Sequence, residues 1–155
     1  MSTGERLAVL GANGKMGRAV IRLAHGMGMQ LVAAIGAGDD VGKDAGDLAG
    51  VGSLGVKVSS DLASLKASGA QVLVDFSTPA VVTSAIEVCA SAGIAIASGT
   101  TGLGEAENKA LDAAAAKVAV LWEPNMSVGV NVLSQLIAQA VKALPDFDIE
   151  IVEAH

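Results

Sequence analysis

The chain has 155 residues, 52% of them hydrophobic and 17% charged, with 10 Lys and Arg against 16 Asp and Glu and a net charge of −6. That length supports one substantial core and one ordinary domain over 1–155, and the acidic balance with scattered cations argues against a nucleic-acid partner, which needs clustered Lys and Arg to displace counterions. One cysteine and two histidines exclude an internal disulfide and leave no ligand cluster for a metal site.

The first element in chain order is also the most informative. An apolar run, Arg6 to Leu10, passes directly into Gly11-Ala12-Asn13-Gly14-Lys15-Met16-Gly17 and then into a helical pattern from Lys15 to His25, with Met16, Ala19, Val20 and Leu23 on one face and Arg18 and Arg22 on another. A G-x-x-G-x-x-G turn between a strand and a helix lets backbone N–H groups approach a pyrophosphate, because no β-carbon stands in the way and the helix start adds unpaired donors and the positive end of its dipole. The turn therefore predicts a dinucleotide cradle, while the same spacing in another context is an ordinary tight turn.

Further strands are expected at Gln30 to Ile35, Val56 to Val58, Gln71 to Asp75, Ile94 to Ser98, Val118 to Trp122 and Asp148 to Val152. Helices are expected at Leu62 to Lys66, Pro79 to Ala92, Glu105 to Lys117 and Val128 to Leu144. Strands alternating with helices predict right-handed crossovers and a Rossmann-like α/β fold, a doubly wound and mainly parallel sheet covered on both faces. Ser77-Thr78-Pro79 offers a capping hydroxyl before a proline suited to the first helical turn, and Gly93 offers a stop. The Gly- and Asp-rich stretch from Gly36 to Gly55 lacks periodicity and reads as a long functional loop.

In such a sheet, ligands lie beyond the carboxyl ends of the strands. Four segments fall there: the glycine turn, Asp75-Phe76-Ser77-Thr78-Pro79, Ser98-Gly99-Thr100-Thr101-Gly102, and Glu123-Pro124-Asn125-Met126-Ser127. Their small hydroxyl and amide groups suit a ribose and a carboxamide, and they are equally the residues that cap strand-to-helix loops in any protein. Asp75 stays ambiguous between the crevice and a simple cap. Cys89 reads as a small core residue, His25 as a partner for helix-end carbonyls. No apolar stretch is long enough to span a bilayer and no signal-peptide layout is present, so a soluble, unprocessed cytoplasmic protein without a membrane partner is expected. The low charge content predicts surface covered by another domain or subunit, so homo-oligomer formation stays open.

Taken together, Gly11 to Arg18, Asp75 to Pro79, Gly99 to Gly102, Pro124-Asn125-Met126-Ser127-Val128-Gly129-Val130-Asn131 and the terminal Glu150-Ile151-Val152-Glu153-Ala154-His155 resemble, in order and over essentially the whole chain, the nucleotide-binding half of the 4-hydroxy-tetrahydrodipicolinate reductase family. The resemblance implies hydride transfer from NADH or NADPH to a small cyclic unsaturated dicarboxylate in the diaminopimelate route to lysine. It implies that Gly11, Ala12, Asn13, Gly14, Lys15 and Met16 wrap the pyrophosphate. Gly99, Thr100 and Thr101 with Pro124, Asn125, Met126 and Ser127 would hold the nicotinamide ribose and carboxamide, and Phe76, Ser77 and Thr78 would line the groove. His155 matches the first of the family's paired histidines and would act as acid/base, a role its near-neutral imidazole suits.

Two departures from the family pattern matter. The second histidine, the catalytic lysine and the Ser-Gly-Thr turn of the substrate half are not in these 155 residues, so this piece is expected to bind cofactor and scarcely turn over. At the tip of the second strand, where a ribose-binding carboxylate is expected, stand Gly36-Ala37-Gly38, with Asp39 and Asp40 following late and Lys15, Arg18 and Lys43 the nearby cations, which leaves both cofactors open. A stand-alone NAD(P)-binding sensor or scaffold, and the cofactor domain of another two-domain dehydrogenase, are the competing readings.

Overall fold

The structure is a computed structural model describing residues 4–152. Six parallel strands form one sheet: β1 (Arg6–Leu10), β2 (Gln30–Ile35), β3 (Val58–Ser59), β4 (Val72–Asp75), β5 (Ala95–Ser98) and β6 (Val120–Trp122), in the order β3-β2-β1-β4-β5-β6. Because β1 pairs with both β2 and β4, the winding reverses direction there, and a crevice opens beyond the carboxyl ends of β1 and β4.

Both faces of the sheet are buried, and the alternation of side chains sorts them. Leu7 and Val9 join one core cluster, with Ile21 and Ala24 of α1 (Lys15–Gly26) and Ala45 and Ala49 of α2 (Ala45–Ala49). Ala8 and Leu10 join the other, with Leu65 of α3 (Ser64–Ala67), Val82, Ile86 and Cys89 of α4 (Pro79–Ala92) and Leu111 of α5 (Glu105–Ala115). The register between β1 and β2 slips between Leu7 and Ala8, so Val32 and Ala33 both face the second cluster; this bulge restores the alternation of β2 with its neighbour.

The doubly wound α/β architecture read from the sequence is the one observed. Three local expectations are corrected. The buried face of α1 is Gly17, Ile21 and Ala24, whereas Met16 and Leu23 are exposed; a β-carbon on Gly17 would overlap Gly11 O and Ala12 Cα, so backbone contact at that glycine fixes which face packs on the sheet. The stretch after Gly36 is ordered: a 3-10 turn at Gly38–Asp40 leads to α2 and then to an isolated bridge between Asp44 and Lys57. Asp44 organises it, accepting from Gly46 N (2.8 Å), Leu54 N (3.0 Å), Gly55 N (2.8 Å) and Ser53 Oγ (2.9 Å). Finally, Asp148 to Val152 is not a strand.

The contacts divide the chain into two compact units, one ending at Pro124 and one beginning at Asn125, whereas the sequence reading carries one domain through His155. The second unit contains α6 (Val128–Ala143) and the segment after it. It holds no strand among its described residues, so Asp148 to Val152 has no hydrogen-bonding edge within its own unit to pair with.

Candidate functional site

A cavity of about 350 Å³ lies beyond the carboxyl ends of β1, β2 and β4, within the size range of small-molecule sites. Gly11, Asn13, Gly14, Phe76, Ser77 and Thr78, all expected at the site, line it together with Leu10, Ile35, Gly36, Ala37, Ser60, Leu62 and Val81. Gly11 adopts φ +77° and a β-carbon on it would come within 2.5 Å of Phe76 O, so the turn requires glycine for both conformation and space.

Two helices begin at this cavity without a side-chain cap. Gly14 is the N-cap of α1 and makes no side-chain cap bond. Thr78 is the N-cap of α4 in extended conformation, and the hydroxyl expected to cap that helix does not do so. Pro79 follows at the first position, where its missing N–H costs nothing. The open first-turn N–H groups and the dipole ends of α1 and α4 thus make the cavity favourable to an anion. Ser77 lines the same space, and its Oγ is buried without a hydrogen-bond partner among the described residues.

Behind the cavity, Asp75 is 1% exposed and ties the β4 and β5 loops together. Ser98 Oγ donates to its Oδ2 at 2.6 Å, Thr100 Oγ1 donates to the same oxygen at 2.8 Å, and Ser77 N donates to Oδ1 at 2.9 Å. Thr100 Oγ1 also accepts from Ser77 N at 3.1 Å, and Trp122 Nε1 donates to Thr100 O at 2.9 Å. The Thr100 side chain is therefore occupied inside the protein, at 2% exposure. Gly99 lies against the Phe76 ring, which a β-carbon there would overlap. Cys89 is buried in the adjoining core, and burial, with the Asp75 charge second, pushes its thiol up to about 12.

The remaining expected residues are distributed as follows. Ala12 is buried beneath the turn, with its N–H on Ile35 O (2.9 Å). Lys15 and Met16 are exposed in the first turn of α1, and Thr101 and Pro124 are exposed at the ends of their loops. Asn125, Met126 and Ser127 belong to the second unit, where Ser127 caps α6 through Val130 N (3.4 Å) and Asn125 Oδ1 accepts from Ser127 N (2.9 Å). His155 lies outside the described residues.

Asp40 is a participant that the sequence pointed to only as a late acidic residue. Arg18 Nη2 pairs with its Oδ2 at 3.0 Å and Lys43 Nζ with its Oδ1 at 2.8 Å. The Lys43 ammonium foremost, against a counteracting desolvation, with Asn13 and Arg18 adding, holds its carboxyl below the ordinary carboxylate range. Ser60, Leu62 and Val81 also line the cavity, and the sequence signals them only by their place just past β3 and on the first turn of α4.

Among the described residues no cluster of metal-ligating side chains and no helix long and apolar enough to cross a membrane is present. A protein-family comparison matches residues 5–126 to the family "Dihydrodipicolinate reductase, N-terminus". The chain is 46% identical over 154 residues to the 4-hydroxy-tetrahydrodipicolinate reductase of Alkalilimnicola ehrlichii, covering 97% of this chain and 57% of that protein. It is 43% identical over 158 residues to the Acinetobacter baumannii protein of the same name, covering 100% of this chain and 58% of that one. Among solved structures, a dipicolinate-bound dihydrodipicolinate reductase from Paenisporosarcina sp. TG-14 superposes with a TM-score of 0.72 at 25% identity, over 93% of this chain and 56% of that one. The chain thus spans somewhat over half the length of the relatives it matches.

Proposed function

The chain belongs to the dihydrodipicolinate reductase N-terminal family, and from that premise we propose that it is the cofactor-binding part of an NAD(P)H-dependent 4-hydroxy-tetrahydrodipicolinate reductase of lysine biosynthesis, acting in the cytoplasm on a small cyclic dicarboxylate. The observation that carries this reading is the convergence of two helix starts without side-chain caps, at Gly14 and Thr78, on one cavity.

The cavity fits a dinucleotide on its own terms. N–H groups at the start of α1, freed of β-carbons by Gly11 and Gly14, receive the pyrophosphate, and the start of α4 adds to the positive field. Ser77 lines the groove, and Phe76 shapes the wall beside Gly99. Bound NADH or NADPH supplies the hydride; the protein contributes orientation. Gly99 and Thr100 are assigned to the nicotinamide end by their match to the family pattern, the Thr100 side chain being held by Asp75 and its carbonyl by Trp122. Pro124 to Ser127 and Thr101 are assigned to the nicotinamide end, and His155 to proton transfer near the ring that accepts the hydride, both by their match to the family pattern. The piece 1–155 is assigned cofactor binding, and turnover is assigned to the longer protein.

Gly14→Val tests the reading cleanly. Gly14 has an ordinary φ of −76°, and a β-carbon there would meet Gly11 O at 3.2 Å, so the turn need give by only a few tenths of an ångström to hold it. The added branch nevertheless projects at the cradle. Titration by calorimetry is expected to show NAD(P)H weakened by more than about tenfold, or 1.4 kcal/mol, with an unchanged far-UV circular dichroism spectrum. Equal affinity in wild type and variant overturns the assignment of the turn.

A further inference from the structure

We propose that Asp40 sets the choice between NADH and NADPH in this chain, by occupying Arg18 and Lys43 in an internal ion-pair bridge at the place where a ribose 2′-phosphate would otherwise engage them. The inference rests on the dinucleotide reading above and adds the residue that governs which dinucleotide is preferred.

The ribose next to the adenine lies beyond the end of the second strand in sheets wound in this order. Here that position is Gly36 and Ala37, both lining the cavity and neither able to discriminate by charge. At Gly36 a β-carbon would overlap Asn13 Oδ1, and Asn13 Nδ2 donates to Ala37 O at 2.7 Å. The discrimination is assigned to the charged cluster that meets the cavity-lining Asn13.

Those charges are fixed rather than loose. Arg18 Nε donates to Asn13 O at 2.9 Å, which anchors the guanidinium to the glycine turn, and its Nη2 reaches Asp40. Lys43 takes the other carboxylate oxygen. The Arg18 and Lys43 side chains are 37% and 55% exposed while that of Asp40 is 21% exposed, so the carboxylate lies inward and bridges two accessible cations. A 2′-phosphate carries about −1.5 to −2 charges near neutral pH. Engaging Arg18 or Lys43 brings it close to Asp40, a like charge that already takes one donor of each. A ribose 2′-hydroxyl meets no such repulsion.

The test is equilibrium titration of NADH and NADPH into wild type, Asp40→Asn, Asp40→Ser, Asp39→Asn and the double variant Asp40→Asn/Arg18→Gln. Wild type is expected to bind NADH at least as tightly as NADPH. Both Asp40 variants are expected to shift the affinity ratio toward NADPH by about tenfold or more, with NADH changed by less than about threefold. Asp39→Asn removes the same charge from the adjacent position and is expected to leave the ratio within about threefold, and the double variant to lose the gain. An unmoved ratio in the Asp40 variants, or an equal shift in Asp39→Asn, overturns the proposal while leaving the cofactor reading intact. Failure of wild type to bind either nucleotide overturns the cofactor reading and this proposal with it.

Discussion

The corner behind the cavity and the excursion from Gly36 to Val58 are each organised by one aspartate, and they differ in what that aspartate connects. Asp44 gathers partners two to eleven residues away, mostly backbone N–H groups, and so folds a single loop. Asp75 reaches Ser98 and Thr100, 23 and 25 residues on, and so fixes two loops of different crossovers against each other. The same carboxylate chemistry is thus local scaffolding in one region and a positioning device in the other. A difference of this kind shows in what breaks when each is removed.

Asp75→Ala is expected to be the most damaging of these changes. It leaves the Ser98 and Thr100 hydroxyls, both in buried residues, without their acceptor. At about 1–3 kcal/mol for each buried group left unsatisfied, the loss of stability by urea denaturation is expected to be about 3 kcal/mol. Asp75→Asn keeps one acceptor oxygen, so it should recover part of the stability while weakening NAD(P)H, because Ser77 and Thr100 shift together. A loss below about 1 kcal/mol in Asp75→Ala would mean that the corner is held by packing alone.

Asp44→Ala is expected to act more weakly and on the excursion only, costing about 1–2 kcal/mol as the loss of a helix cap with its extra loop bonds. The pH dependence gives an independent check. The Leu54 N–H foremost, then Ser53 and the N–H groups of Asp47 and Gly46, working against desolvation, pull the Asp44 carboxyl from 3.8 to about 2. A carboxyl whose pKa is lower in the folded chain stabilises it above the unfolded value, and that contribution is lost as pH falls from about 4 toward 2. Denaturant midpoints should therefore decline more steeply across that interval in wild type than in Asp44→Asn; parallel declines would remove Asp44 from its organising role.

The contrast between these aspartates also explains what could be read from residues alone. The strand and helix order, the glycine turn and the Phe76 to Thr78 segment were legible because apolar periodicity and backbone-driven glycine requirements are local signals. Asp44 carried a local signal too, an Asp immediately before Ala45-Gly46 in capping position, but the surrounding glycines hid a helix of five residues. The role of Asp75 was not legible, since its partners come from another crossover and only the sheet pairing of β4 with β5 brings Ser98 beside it. Asp40 was visible only as a charge in the wrong place for a ribose contact; its bridge to Arg18 depends on the turn that carries the excursion back toward α1. Residues Asp148 to Val152 misled for the opposite reason, since apolar alternation states a preference for pairing and supplies no edge to pair with.

The smallest expected effect separates the two regions most sharply. Cys89 is fully buried on α4, in the core cluster that also holds Leu73 of β4, and its thiol, pushed up to about 12, stays protonated and unreactive while covered. Alkylation therefore reports only openings that expose α4. Opening of the excursion in Asp44→Ala leaves that helix in place, so labelling by a thiol reagent is expected to change by less than about threefold. In Asp75→Ala the loop leading into α4 loses its tether at Ser77, and labelling is expected to accelerate well beyond that range. Equal acceleration in the two variants would show one cooperative unit in which both aspartates do the same job.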